Sequence, residues 1–289
     1  MKKLLTATSI SLLSTASAYK LTADFTHKML YRNVVVRDDL SDLGAKTIRL
    51  KNHKGLELCG HFIEKENTKA TLVMLHGFEE DASDLIEAMH YFENMLNCNM
   101  LLLDASAHGM SDGYIRQFGY DDVFDLMLWN KYLLKKYGDK HHIIMYGKGM
   151  GANTILNTAG LGKLKNVDCI ISDGAYSDVL SYLASKAQKV IKLPPFITKP
   201  IMRTIVMNET GRDLKDMDTI KYVTKNTIPT IFIHSRHNQD VDVKNVYALY
   251  NNNASAKELF VVREDHFYEM NQDDSYAKVL PEFLREHIA

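Results

Sequence analysis

An α/β fold is predicted for this chain, with a mostly parallel central sheet of about eight strands, helices on both faces and a helical cap. Three observations predict it. Short runs rich in β-branched and apolar residues recur along the chain, and from the third run onward they alternate with segments whose apolar residues recur at three- and four-residue spacing. One long stretch, 176–223, interrupts that rhythm.

The strand-like runs are Thr47–Lys51, Glu57–Glu64, Ala70–Leu75, Met100–Asp104, His142–Tyr146, Asp168–Asp173, Thr230–His234 and Leu259–Arg263. The first two have no helical segment between them and read as an antiparallel pair. The helical patterns cover Ala82–Met95, Gly119–Tyr137, Gly151–Thr158, Val243–Tyr250 and Tyr276–His287. Strand–helix alternation of this kind gives a parallel sheet covered on both faces. The 176–223 stretch is expected to be a helical cap insertion, with Pro194-Pro195 and Pro200 dividing its apolar pieces.

At 289 residues the chain can bury one substantial core, and the expected division is an N-terminal segment, 1–30, followed by one domain, 31–289. A formal charge of −1, with lysines and arginines dispersed, gives no basic face for a phosphate backbone, so no nucleic-acid partner is expected. Cys59, Cys98 and Cys169 form no C-x-x-C pair, and Cys59 and Cys169 fall in predicted strands as small buried hydrophobes. His141-His142 are adjacent at a strand start and point to opposite faces, so no metal site is expected there. Lys148 is followed by Gly149 rather than Lys-Ser, so no phosphate-binding loop forms, and no cofactor is expected.

In the N-terminal segment, Lys2-Lys3, the apolar stretch Leu4–Leu13 and Ala16-Ser17-Ala18 match the three zones of a secretory signal peptide. A retained membrane-proximal helix is the alternative. Either would make the protein exported or membrane-associated through its N-terminus; without them the expectation is a cytoplasmic protein.

Chemistry concentrates around Gly147-Lys148-Gly149-Met150-Gly151, directly after the fifth strand-like run. In a G-x-S-x-G nucleophile elbow the middle residue is a serine on a strained strand-to-helix turn, and here it is Gly149. His76-Gly77-Phe78 follows the third run, Asp104-Ala105-Ser106-Ala107-His108-Gly109-Met110-Ser111 the fourth, Asn238 and Asp240 lie just past the seventh, and His266 past the eighth. Together these motifs resemble the α/β-hydrolase family, in particular the bacterial serine aminopeptidase-like and esterase-like hydrolases, over roughly residues 45–289.

The resemblance implies an α/β-hydrolase fold and an ancestry in serine hydrolysis of ester, thioester or peptide-like acyl bonds. It places the oxyanion-hole amides at Phe78 and Met150, the lost nucleophile at Gly149, the altered acid at Asn238 and the histidine at His266. Asp240 is a possible substitute acid. Asparagine at the acid position favours the wrong imidazole tautomer, a change that costs ~10⁴-fold in turnover in a serine protease. The expected function is a degenerate, inactive or impaired hydrolase that keeps a pocket for a small apolar or acyl ligand. One alternative is an active hydrolase in which His266 activates water, or in which Ser111 or Ser106 acts as a relocated nucleophile. A second is a dinucleotide-binding oxidoreductase, because Gly147-x-Gly149-x-x-Ala152 follows a strand, opens a helix and is followed by Asp173 at the next strand end. Substrate identity and oligomeric state carry no sequence signature.

Overall fold

The computed structural model describes residues 2–32, 40–270 and 275–288, with side chains described in those ranges except at 2–14, 275 and 276. Its centre is one eight-stranded sheet in the order β1-β2-β4-β3-β5-β6-β7-β8. The strands are β1 (Lys46–Lys51), β2 (Glu57–Ile63), β3 (Ala70–Leu75), β4 (Asn99–Leu103), β5 (His142–Lys148), β6 (Val167–Asp173), β7 (Thr230–Ser235) and β8 (Lys257–Val262). β1 and β2 pair antiparallel, β2 is antiparallel to β4, and every later pairing is parallel.

β5 shows why the sheet must be covered twice. Ile144 and Tyr146 enter one apolar cluster while Ile143 and Met145 enter the other, as the two-residue period of a strand requires. The first face is covered by α2 (Ile86–Met95) and α9 (Val279–His287), which bring Phe92 and Phe283. The second is covered by α3 (Asp122–Tyr137), α4 (Met150–Gly160) and α8 (Lys244–Asn252), with Trp129, Ile155 and Leu249 at its centre. All three cysteines are buried and free.

Local chemistry sets the helix starts. The pattern from Ala82 begins as a 3-10 turn, Ala82–Leu85, capped by the Asp81 carboxylate on the Ser83 amide, before α2 proper. α3 starts at Asp122 rather than Gly119, because Gly119 sits at φ +80 and its amide is held by the Asp122 carboxylate at 2.8 Å.

Within 176–223 lie α5 (Val179–Ile191), α6 (Pro195–Thr210) and the short α7 (Ile220–Val223). Pro195 occupies the first turn of α6, where its missing amide is harmless, whereas Pro200 lies inside α6 and does not divide it. α1 (Lys2–Leu30) packs its C-terminal half on this layer, burying Phe25, Met29 and Leu30 with Tyr182, Met202 and Val206. The apolar zone Leu4–Leu13 of the signal-like segment lies outside the described side chains. No helix among the described residues is long and apolar enough to cross a membrane.

Candidate active site

A cleft of about 500 Å³ opens at the C-terminal end of the parallel strands, beneath α5. Phe78, Gly149, Met150, Asn238, Asp240 and His266 all line it. Residues separated by nearly two hundred positions thus converge on one cavity from the ends of four strands, β3, β5, β7 and β8.

The elbow follows from close packing. A Cβ at Gly147 would lie 2.5 Å from the Ala152 nitrogen, and one at Gly151 would lie 2.3 Å from the Leu75 carbonyl oxygen, so neither position admits a side chain. Gly149 is different. It holds φ 51 and ψ −112, a conformation costly for other residues, but a Cβ there would touch only the Gly77 Cα, at 3.7 Å. The turn is pinned by the Gly149 amide donating to the Asp173 carbonyl at 2.7 Å and by the Gly151 amide donating to the His76 carbonyl at 3.0 Å. Gly149 therefore carries the backbone of an elbow, with open space where a side chain would stand.

Two amides border that space. Among the described residues neither the Phe78 nor the Met150 amide has a backbone partner, and Met150 opens α4, whose dipole favours negative charge at this end. The Phe78 loop is braced from both sides. The Gly77 amide donates to Glu80 at 2.8 Å, the other Glu80 oxygen accepts from Lys148 at 2.7 Å, and His76 takes the Ala105 amide on its Nε2 at 3.1 Å. Lys148 is three-quarters covered and ion-paired inside the cleft. Glu80 and Lys148 carry no motif of their own, and only the fold brings them together.

Asp173 ends β6 beside this pair. Burial pushes its carboxyl up to about 6, with the Glu80 charge adding to the effect and Lys148 and the Tyr146 hydroxyl opposing it. That hydroxyl donates to the carboxylate at 3.2 Å.

The loops after β7 and β8 are tied to each other, since Ser235 Oγ donates to the Glu264 carbonyl at 2.6 Å. Their side chains point to other tasks. Asn238 Oδ1 accepts the Asp240 and Val241 amides, both at 2.9 Å, so the amide organises its own turn. Asp240 is 57 % exposed and pairs with Lys186 of α5 at 3.3 Å. The His266 ring stacks on Tyr268 at 4.9 Å, and among the described residues no side chain hydrogen-bonds its imidazole.

The two candidate replacement serines are occupied structurally. Ser111 is buried, its hydroxyl donating to the Asp104 carbonyl at 2.7 Å and accepting the Cys59 amide at 2.8 Å. Ser106 is buried and donates to Asp125. The Asp104 carboxylate below them takes the Ala82 amide at 2.9 Å, the Met110 amide at 2.8 Å and His61 at 3.2 Å. Burial alone would lower the His61 pKa, but Asp104 and the Cys59 thiol hold it up at about 9.

The roof of the cleft is aromatic and cationic. Tyr176 and Tyr182 stack at 4.4 Å, and Phe78 lies under the Arg116 guanidinium at 5.0 Å and the Lys186 ammonium at 5.3 Å.

No protein-family model matches the sequence. A Bacillus subtilis (strain 168) protein, YqkD, of uncharacterized function, is 25% identical over 233 residues, spanning 80% of this chain and 76% of its own length. Among solved structures, the Pyrococcus furiosus esterase Pf2001 aligns with a TM-score of 0.70 at 22% identity, covering 89% of this chain and 100% of that one. Est1E from Butyrivibrio proteoclasticus, solved with ferulic acid bound, aligns at 0.62 and 16% identity over 83% and 99% of the two chains. The α/β hydrolase GrgF from Penicillium sp. sh18 gives 0.62 and 14% over 84% and 98%. Together with the strand order and the elbow, these alignments establish that the chain has the α/β-hydrolase fold.

Proposed function

We propose that this is a hydrolase-fold protein that holds a small apolar or acyl ligand in the cleft and forms no acyl-enzyme. The observation that carries the reading is Gly149, which keeps elbow dihedrals and an open space beside two amides that have no backbone partner among the described residues, but has no nucleophilic atom. The solved esterases that share the fold support ester or related acyl compounds as the ligand class. Phe78, Tyr176 and Tyr182 supply an apolar wall for an acyl or aromatic group, and the Phe78 and Met150 amides suit its carbonyl oxygen.

The water-based alternative has less support, because Asp240 is engaged by Lys186 and no acid orients His266 among the described residues. The buried, bonded hydroxyls of Ser111 and Ser106 weaken the relocated-nucleophile alternative in the same way. The dinucleotide reading has less support because the glycine turn follows the fifth strand of a sheet led by an antiparallel pair, whereas a dinucleotide-binding unit opens its domain with that turn.

The test is labelling of the wild-type chain with a fluorophosphonate beside an assay on p-nitrophenyl esters from acetate to octanoate. No label and only the slow residual rate of an oxyanion hole are expected. Stoichiometric labelling of any serine would overturn the proposal.

A further inference from the structure

The pair α5–α6 has an unusual composition. Between Asp178 and Glu209 the chain contains no acidic residue but carries Lys186, Lys189, Lys192, Lys199 and Arg203, although the whole protein has a net charge of −1. At the tip, Phe196 is 79% exposed and Val190 is 66% exposed. Lys189 and Lys192 are exposed beside them and, among the described residues, form no ion pair.

The backbone keeps this tip from folding back. Lys192 ends α5 in the left-handed conformation at φ 58, and Pro194 and Pro195 launch α6, so the connection is short and stiff. Phe196 is therefore presented to solvent by a fixed frame. Single exposed apolar residues are ordinary on protein surfaces. Two on opposite sides of a rigid turn, interleaved with unpaired lysines and remote from any acid in sequence, match what an anionic lipid surface offers: an acyl boundary for the rings and methyls and headgroup charge for the ammonium groups.

We propose that the α5–α6 tip is a peripheral docking surface for an anionic bilayer, with Val190 and Phe196 entering the headgroup boundary and Lys189 and Lys192 contacting acidic headgroups. Docking there also sets the orientation of the molecule. Tyr182, Lys186 and Val190 are spaced by four residues and so share one stripe of α5, with each step rising about 6 Å. Tyr182 lines the cleft and Lys186 spans its rim to Asp240, so the docked tip leaves the cleft mouth beside the bilayer.

The full chain is tested by co-sedimentation with phosphatidylcholine vesicles that contain or lack phosphatidylglycerol. Binding to the phosphatidylglycerol vesicles that weakens with salt is expected. Lys189→Glu with Lys192→Glu should lower the partition coefficient by roughly tenfold or more, and Val190→Ser with Phe196→Ser should lower it to a similar degree. Phe196→Trp provides a direct probe, because the natural Trp129 is buried and gives a constant background. Its emission should shift to the blue only with the anionic vesicles. Binding that both double variants leave unchanged would assign the contact to another part of the chain and overturn the proposal. A concentration-dependent dimer abolished by Phe196→Ser, without vesicle binding, would overturn it in favour of a second copy of this chain.

Discussion

The elbow at Gly147–Gly151 and the loops that follow β7 and β8 line the same cleft, but different physics holds them. The elbow is fixed by main-chain contacts: the Ala152 nitrogen and the Leu75 carbonyl stand where side chains at Gly147 and Gly151 would go, and the Gly149 and Gly151 amides donate to the Asp173 and His76 carbonyls. The two loops are fixed by side chains at the surface, where Asn238 closes its own turn, Asp240 reaches Lys186 and His266 rests on Tyr268. At Gly147 and Gly151 backbone packing leaves no substitution that preserves the turn, whereas a loop side chain can be exchanged and given a new partner. The frame of a hydrolase site can therefore persist while its proton-relay residues take up other contacts.

The largest effect should come from breaking the packed half. Gly151→Ala forces backbone to move away from a Cβ at 2.3 Å, and a loss of about 3 kcal/mol in chemical denaturation is expected. A loss within a few tenths of that of a surface substitution would mean that the elbow is not held by close approach.

Gly149→Ser sharpens the contrast, because that position is strained but roomy. It should cost less than Gly151→Ala, about 1–3 kcal/mol, since only the dihedral penalty applies. An unchanged midpoint would show that the turn relaxes on its own.

Much of this was legible in the sequence, and the exceptions share a cause. The strands follow from short-range apolar periodicity, and the resemblance to α/β hydrolases, carried by motifs at strand ends, is what groups Phe78, Gly149, Met150, Asn238 and His266, which line one cleft. The engagement of Asp240 by Lys186 does not, because it depends on where α5 lies over the cleft, and no local pattern encodes that. The Glu80–Lys148 pair and the raised Asp173 carboxyl are hidden for the same reason: each depends on burial set by distant segments. The packing of α1 on the cap escaped as well, since the N-terminal composition reads as a targeting signal and does not report its tertiary partners.

Asp173 offers a third, smaller test beneath the elbow. Its folded pKa of about 6 lies above the ~3.9 of an unfolded aspartate, so the folded state holds a proton that the unfolded state has released. Its contribution is fully favourable below pH ~4, fades as pH rises to about 6 and is unfavourable above that. Asp173→Asn should therefore raise stability at pH 7–8, by on the order of 1 kcal/mol once partial exposure to the cleft is allowed for. The gain should shrink towards pH 4. A pH-independent difference would mean that the carboxyl is not strained by burial.

The smallest stability effect belongs to the loop half, and it also decides what Asp240 does. Asp240 is more than half exposed in its pair with Lys186, so Asp240→Ala should change stability by less than ~0.5 kcal/mol. Its effect on chemistry is best read in a chain where chemistry has been restored. Gly149→Ser with Asn238→Asp would place a hydroxyl between the Phe78 and Met150 amides and an acid in the turn beside His266, and this double variant should gain fluorophosphonate labelling and measurable esterase activity. Since Asp240 is held by α5, adding Asp240→Ala should leave that gain intact, and Gly149→Ser alone should be far weaker than the double variant. If Asp240→Ala instead removes the activity of Gly149→Ser, the pairing with Lys186 opens in solution and Asp240 is the orienting acid. If the double variant folds but neither labels nor turns over any ester, Asn238 and His266 do not occupy the positions that the resemblance assigns them, and the likeness to hydrolases ends at the fold.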